Sequence, residues 1–379
     1  MTAADESADV FGTLALRDAV LAAWRGSPTR FREDANSEED LVRGGYRDRL
    51  VVELAQNAAD AAARVGRPGR VRFRLRADRL EVSNTGSALD AAGVESLAAL
   101  RASAKRDGDA DQVGRFGVGF AAVLAVCDSP ELRSSQGGVR FSAAETLAAV
   151  QHEPSLAAEV ERRGHQVPIL RLPFPDSTAP DAGYDTTVVL QLRDPDAVAL
   201  VHRLLAEVDA ALLLALPSLS EVVVETGAHH RRTLGCTQTG DGDVVLSDDG
   251  RSARWKVQRS GGEVPPELLA DRPAEERSRR TWSLAWAFPV DAERRPTRLP
   301  STVPPLLHAP TPTDEPLALP ALLLASFPLD PSRRHVAAGP LTDFLVDRAA
   351  DAYVAAVAET ASECGAAAAV LVPDRAPAG

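Results

Sequence analysis

The segment "ELAQNAADAA", residues 53–62, is the part of the chain that decides the fold. Its alanines, and the apolar residues that precede them, predict a buried helix. At about 100° per residue, however, several polar side chains fall on one stripe of roughly 100°, namely Glu53, Gln56, Asn57, Asp60 and Arg64. Such a stripe either meets water, as on an ordinary amphipathic helix, or faces a pocket in which a carboxylate and an amide hold a hydrated cation or orient a water.

The composition is that of an acidic globular chain. Its 379 residues are enough for about two domains. A formal net charge of −12 argues against nucleic-acid binding over the whole surface. The arginines of "RVRFRLR" (70–76) fall on one face of a predicted strand, which favours a solvated sheet face over a basic patch. Only Lys105 and Lys256 among the 42 basic residues are lysine, so we expect a GC-rich, bacterial genome.

Cysteine usage and hydropathy predict a soluble cytoplasmic protein that does not enter a membrane. Cys127, Cys236 and Cys364 have neither paired spacing nor a nearby histidine cluster, so no disulfide and no zinc site are expected. The acidic N-terminal sequence lacks the positive region of a signal peptide. The longest apolar run, "AALLLALPSL" (210–219), is too short to span a bilayer.

Periodicity and turn signals predict mixed helices and strands without a strict βαβ repeat, which favours an α/β sandwich. We expect helices over 12–25, 41–65, 91–103, 195–214 and 341–360, with an acidic turn at "SEED" (37–40) and a further helix start at "FAAVLAVCD" (120–128). We expect strands over 70–76, 79–83, 137–142, 167–172, 186–192, 220–225, 251–258 and 280–289. The composition shifts towards proline and arginine beyond about residue 228, which divides the chain into domains 1–228 and 229–379.

The stretch "VGRFGVGF", residues 113–120, is a glycine-rich loop that opens into an apolar segment. Glycines let a backbone approach a phosphate closely, and a helix N-terminus adds unpaired N–H groups. The loop lacks the lysine and serine that end a P-loop, and it lacks the strand and acidic residue of a dinucleotide fingerprint. Alone it is a weak signal.

The order of "ELAQNAADAA", "LEVSNTG" and "VGRFGVGFAAVL" resembles the GHKL ATPases, which include gyrase B, the ninety-kilodalton heat-shock chaperones, histidine kinases and MutL. Within that superfamily the chain is most similar to the heat-shock chaperones and the sacsin-type ATP-binding regions, over residues 10 to 225. The resemblance implies an α+β two-layer sandwich of the Bergerat type, followed by a smaller mixed α/β lobe like a heat-shock chaperone middle domain. The cofactors it implies are ATP and Mg²⁺.

The resemblance also assigns roles to single residues. Glu53 would be the general base for the attacking water, Asn57 would bind Mg²⁺, and Asp60 would support the pocket. The loop would bind phosphates through backbone N–H groups of Gly114, Phe116, Gly117, Val118, Gly119 and Phe120. Lys105 lies in the longer charged loop "AKRDGDADQVGRFGVG" (104–119), which would correspond to the lid of the family. There it would reach a phosphate, or else it is simply exposed on a charged loop.

Two further positions match the part of the family that reads adenine. Thr186, in "YDTTVVLQLRD", would bind adenine through its hydroxyl, although a β-branched residue also simply suits a strand. In "NTGSAL", Gly86 matches a glycine of the family turn, but Asn84 stands where the family has an aspartate and Ala88 where it has a second glycine. An amide accepts a hydrogen bond without charge, so we expect weaker binding or an altered base preference. The sacsin-type branch tolerates asparagine there.

A third resemblance lies in "FPLDPSRRHV", residues 327–336, which is similar to the middle-domain loop of the heat-shock chaperones. It would place Arg333, with Arg334 beside it, to reach the γ-phosphate from the second lobe. The alternative is an arginine pair at a solvated turn. If the resemblance holds, the two lobes close on ATP and hydrolysis is coupled to their movement.

The leading hypothesis is therefore a Mg²⁺-dependent ATPase that drives a chaperone-like conformational switch of the sacsin or heat-shock type. The alternative is a nucleotide-binding regulatory or scaffolding module with little or no turnover, and a third is a degenerate pocket in a structural protein. A client protein and a homodimer are partners that the family implies. A histidine kinase is disfavoured because no phospho-acceptor histidine setting is found, and the acidic charge disfavours a DNA-directed enzyme.

Overall fold

The computed structural model describes residues 9–43, 46–99, 119–270, 272, 277, 280–301, 303–309, 311–330 and 334–373. It is a mixed α/β structure in which the strands pair mostly antiparallel. The chain divides into two compact units, Met1–Glu207 with Val222–Arg231 and Val208–Glu221 with Arg232–Gly379. The sequence suggested one boundary, after residue 228. In the structure the chain enters the second unit at Val208, returns to the first at Val222 and enters the second again at Arg232.

The strands of the first unit are β1 (Gly69–Arg76), β2 (Arg79–Asn84), β3 (Glu131–Ser134), β4 (Gly137–Arg140), β5 (Phe174–Asp176), β6 (Thr186–Gln191) and β7 (Leu219–Thr226), which enters this unit at Val222. They lie in the order β7-β1-β2-β6-β3-β4-β5. The pairs from β1 to β5 in this order are antiparallel. On β1 the side chains of Val71, Phe73 and Leu75 are buried, as period-two alternation predicts.

The helices of the first unit are α1 (Thr13–Gly26), α2 (Pro28–Arg43), α3 (Leu50–Val65), α4 (Ala91–Ala99), α5 (Ala143–Val150), α6 (Ala157–Arg162) and α7 (Pro195–Ala206). Short 3₁₀ helices cover Tyr46–Arg49 and Phe120–Ala125. Helix α3 packs against β1 and ends at Gly66, whose φ of 63° suits glycine. The predicted segment 53–62 therefore lies on the central helix of this unit.

The second unit contains β8 (His230–Gln238), which belongs to it from Arg232, β9 (Val244–Asp248), β10 (Arg251–Glu263), β11 (Thr281–Val290), β12 (Leu306–His308), β13 (Pro312–Pro316), β14 (Leu322–Ala325), and helices α8 (Leu212–Ala215) and α9 (Pro340–Cys364). The strand order is β13-β12-β14-β11-β10-β9-β8. Among the described residues the pair β12–β14 is parallel and the other five pairs in this order are antiparallel. Helix α9 packs on β11, where the Trp286 indole N–H donates to Ala349 O at 2.9 Å.

One stretch of the described residues, Pro340–Leu371, is long and apolar enough to cross a membrane by length and composition. Its inner side belongs to the core of the second unit, where the Tyr353 ring lies 4.5 Å from that of Trp286 and Leu345 is buried. A single helix of this kind is weak evidence for a membrane span.

Several predicted elements are confirmed to within a few residues, namely the helices over 12–25 and 341–360 and the strands over 70–76, 79–83, 137–142, 186–192, 220–225, 251–258 and 280–289. The helix over 91–103 is described as far as Ala99, and its predicted remainder lies outside the described residues. The segment 120–125 is a 3₁₀ helix, with all of its first five residues buried.

Four predictions were wrong. The "SEED" turn lies inside α2, and the helix predicted over 41–65 is interrupted before α3 begins at Leu50. The helix over 195–214 breaks after Ala206, because Asp209 accepts the N–H of Ala211 at 2.8 Å at the start of a separate turn of helix. The segment 167–172 is not a strand, since its backbone bonds to a side chain instead of to a neighbouring strand.

That side chain is Glu38 on α2, which accepts the backbone N–H groups of Ile169 at 2.5 Å and Leu170 at 3.0 Å. Burial raises the pKa of the Glu38 carboxyl from 4.5 to about 7, although Arg171 and the two N–H donors oppose the shift. The folded state therefore holds a proton at Glu38 over a pH range in which the unfolded chain has released it.

The sign of this shift predicts how stability depends on pH. Because the folded pKa is raised, the stabilisation is complete below about pH 4.5 and is lost as the pH rises to about 7, which amounts to about 3 kcal/mol. We expect the free energy of unfolding of the wild type to fall by about this amount relative to Glu38→Gln when urea melts are compared across that range. Glu33→Gln, on the exposed side of α2, should follow the wild type. Parallel curves for Glu38→Gln and the wild type would contradict the assignment.

The arginine face of β1 is not simply solvated. Arg72 and Arg74 are only 14% and 18% exposed as side chains, whereas Arg70 and Arg76 meet solvent. Arg72 pairs with Asp181, and the Arg74 Nε lies 2.8 Å from Glu225 Oε2. The interpretation of this face as solvated is therefore wrong for its central two arginines, whose charges are balanced by acidic neighbours.

Candidate functional site

A pocket with a volume of about 60 Å³ lies within the first unit, between α3, α4 and strands β2 and β6. Its walls are mostly apolar and are formed by Leu54, Ala61, Val82, Ala88, Leu89, Gly93, Leu97, Phe120, Leu132 and Val188. The polar lining consists of Asn57, Arg64, Asn84, Ser87, Asp90 and Thr186. An apolar slot with a few convergent polar groups is the usual form of a small-molecule site.

The strand wall brings Asn84 and Thr186 together, because these residues are direct partners in the antiparallel pairing of β2 and β6. Thr186 is 8% exposed, and its Oγ1 has no hydrogen-bond partner among the described residues. The Asn84 Nδ2 reaches only Thr85 O, at 3.4 Å, the long limit of a hydrogen bond. Two polar groups of this wall are therefore open to a ligand.

The helix wall carries the polar stripe of α3. Asn57 lines the pocket, while Glu53, one turn earlier, is 3% exposed and is not among the lining residues. The Arg49 Nε lies 3.7 Å from Glu53 Oε1. Gln56 is also buried, at 6%. The first half of the stripe thus points into the protein and not to bulk water, and only its end at Arg64 is exposed.

The Glu53 carboxylate lies directly against the backbone of Gly119. A Cβ placed on Gly119 would overlap Glu53 Oε2, so a larger residue at this position would displace the end of the Glu53 side chain. Gly119 has φ −66° and ψ −37°, an ordinary helical conformation. The absence of a side chain at Gly119 therefore matters for the space beside Glu53 and not for backbone conformation.

A second close approach joins the β2 turn to α3. A Cβ on Gly86 would lie 2.5 Å from the Ala61 carbonyl carbon, and the φ of Gly86 is +140°. The Gly86 N–H donates to Asp185 Oδ2 at 2.9 Å, and the Ser87 N–H donates to Ala61 O at 2.8 Å. Sequence reasoning missed Asp185, whose only signal was its position directly before Thr186.

The rim of the pocket is charged. The pKa of the Arg64 guanidinium is lowered because neighbouring atoms shield part of it from water, and the nearby carboxylates of Asp60 and Asp90 oppose this shift. Asp90 also accepts the Gly93 N–H at 2.8 Å, at the start of α4. Asp60 is half-buried on α3 and is not among the lining residues.

The structure thus brings four of the sequence-selected residues together in one pocket, Asn57, Asn84, Phe120 and Thr186. Glu53 with Gly119, Gly86 and Asp60 lie on the elements that form its walls. The remaining candidates, Lys105, Gly114, Phe116, Gly117, Val118 and Arg333, lie outside the described residues. Arg334 is in the second unit, where its Nε lies 2.6 Å from Asp314 Oδ2.

No group of three or more His, Cys, Asp or Glu side chains suited to a metal occurs in the described part of the chain. Comparisons of the chain with models of known protein families and with curated proteins find no match.

Proposed function

We propose that the pocket binds ATP with Mg²⁺ in the manner of the GHKL ATPases, and that the first unit is a Bergerat-type two-layer sandwich. The observation that carries the proposal is the convergence of Asn57, from α3, with Asn84 and Thr186, from the sheet, on one apolar pocket. Asn57 and Asn84 belong to two of the three motifs whose order in the chain first suggested the family, and Thr186 belongs to the further stretch "YDTTVVLQLRD".

The pocket residues fit a nucleotide base in chemistry. Val82, Val188 and Phe120 offer flat apolar contact for an aromatic ring. The buried Thr186 hydroxyl has no partner among the described residues, which is costly unless a ligand or water supplies one. Asn84 offers both an amide donor and an acceptor beside it.

The helix side fits the phosphate end. When bound, Mg²⁺ would neutralise phosphate charge, and Asn57, which lines the pocket, would supply a side-chain oxygen to it. Glu53 lies one helical turn away, so that its carboxylate accepts the proton of the attacking water. Arg49 orients that carboxylate from one side while Gly119 leaves room for it on the other.

The wider function follows from the family resemblance. We propose a cytoplasmic, chaperone-like ATPase of the sacsin or heat-shock type, with the second unit as a middle-domain-like lobe and Arg333 as its γ-phosphate contact. A client protein, and a second copy of the chain, are the partners of such a switch. Support for these roles comes from the motifs "FPLDPSRRHV" and "GRFGVGF".

One observation favours the second candidate, a nucleotide-binding regulatory module with little turnover. Glu53 is paired with Arg49 and is not among the residues that line the pocket. Its carboxylate therefore does not contact the space in which an attacking water would lie. Both functions use the same pocket, and they differ in whether bound ATP is hydrolysed.

The proposal predicts Mg²⁺-dependent nucleotide binding that requires Asn57. We expect the wild type to bind the β,γ-imido analogue of ATP at least about tenfold more tightly with Mg²⁺ than with a chelator, and Asn57→Ala to lose this difference because it lacks the oxygen ligand. Isothermal titration calorimetry measures both. Asn36→Ala, at an exposed site on α2, is the matched control and should behave as the wild type. A wild type that binds no nucleotide would refute the proposal.

A further inference from the structure

The polar groups on the strand wall of the pocket can both donate and accept hydrogen bonds. Asn84 and Thr186 are the polar side chains that the described parts of β2 and β6 contribute to its lining. A carboxamide and a hydroxyl each donate and accept hydrogen bonds, whereas a carboxylate only accepts. A ligand can therefore present either a hydrogen-bond donor or an acceptor to this wall.

The side chains of Asn84 and Thr186 can each act towards a ligand as a hydrogen-bond donor or as an acceptor. The Thr186 Oγ1 is buried without a partner among the described residues, so its hydroxyl proton can point in either direction. The Asn84 Nδ2 contact with Thr85 O, at 3.4 Å, is too long to fix the amide. Either end of the Asn84 amide can thus face the pocket.

The nearby carboxylates do not add a dedicated hydrogen-bond acceptor to the strand wall. Asp185 Oδ2 accepts the Gly86 N–H at 2.9 Å and Asp185 is not among the lining residues. Asp90 lies at the exposed rim, where its Oδ1 accepts the Gly93 N–H at 2.8 Å. A ligand edge at the strand wall therefore meets an amide and a hydroxyl.

We propose that this pocket binds purine nucleotides with a 6-oxo group as well as those with a 6-amino group. The proposal rests on the proposed nucleotide function of the pocket. The 6-amino group of adenine donates to Asn84 Oδ1, while the 6-oxo group of guanine accepts from Asn84 Nδ2 after the amide turns over. A carboxylate at position 84 could serve only the first of these and would repel the second.

The test compares the β,γ-imido analogues of ATP and GTP, with Mg²⁺, by calorimetry. We expect the wild type to bind the two with dissociation constants within about fivefold of each other, because each finds a partner at residue 84. In Asn84→Asp we expect the dissociation constant for the GTP analogue to rise at least about tenfold, while that for the ATP analogue stays within about threefold.

A second variant tests the same wall without adding charge. Thr186→Val keeps the shape of the side chain and removes the hydroxyl, and should weaken both analogues by a similar factor. Asn36→Asp, on the surface of α2, is the matched control for the amide-to-acid change, and melting curves report folding.

The outcomes separate the two proposals. A wild-type preference for the ATP analogue above about twentyfold, unchanged in Asn84→Asp, would overturn the inference and leave the nucleotide function standing. Binding of neither analogue would overturn both. Equal binding by the wild type with a selective loss of the GTP analogue in Asn84→Asp would support the inference.

Discussion

In Glu53→Gln we expect binding of Mg-ATP to stay within about threefold of the wild type while the rate of phosphate release falls at least about 100-fold. The amide has nearly the same size as the carboxylate, so it still fits between Arg49 and Gly119. It cannot accept a proton from water at neutral pH, which is the role proposed for Glu53. Steady-state phosphate release and calorimetry, measured on the same preparation, separate the two effects.

The variant also removes a buried charge partner. Arg49 and Glu53 are 9% and 3% exposed as side chains, so their pairing contributes to folding, and we expect Glu53→Gln to lower the free energy of unfolding by about 1–3 kcal/mol. Activity is therefore compared at a temperature at which melting curves show both proteins folded. Glu95→Gln, at an exposed position of α4, should change neither quantity.

Two results would decide against the catalytic role. If Glu53→Gln releases phosphate at the wild-type rate, the general base lies elsewhere. If the wild type binds ATP but releases no phosphate above background, the protein is an occupancy-driven module of the kind proposed as the second candidate function.

In the first unit, the strands and helices that bury one face could be predicted from the sequence. Alternation along 70–76 placed Val71, Phe73 and Leu75 in the core, and the 3.6-residue period placed α3. Helix α2 was missed because its sequence is mostly polar. Its stability comes from contacts far along the chain, such as those of Glu38 with the backbone near Leu170, and from Phe31 packed on Trp24 at 5.1 Å. A local pattern carries no information on such contacts.

The site was partly readable for the same reason. Asn57, Asn84 and Thr186 were selected from three separate motifs, and the register that makes Asn84 face Thr186 depends on the order of the strands in the sheet. No local signal gives that order, since the two residues are far apart in sequence. Arg49 was not selected, although its i,i+4 spacing from Glu53 is a signal that sequence reasoning could have used.

Gly119→Ala tests the proposed site from its opposite side. The backbone of Gly119 is helical, so alanine suits the local conformation and a defect cannot be ascribed to backbone strain. The added Cβ would occupy the space of Glu53 Oε2 and displace that carboxylate. A shift of about 1 Å in a reacting group can cost about 100-fold in rate. We therefore expect phosphate release to fall about 100-fold, with nucleotide affinity retained within about threefold.

The double variant makes this explanation specific. If the alanine acts through Glu53, then Gly119→Ala should cost little further activity in a protein that already carries Glu53→Gln, because both changes remove the same function. Gly26→Ala is the matched control, since Gly26 ends α1 and a Cβ there meets no atom within 4 Å. Full additivity of the two losses would mean that Gly119 acts on a different step, and the contact between its backbone and the Glu53 carboxylate would then be a packing contact without a part in turnover.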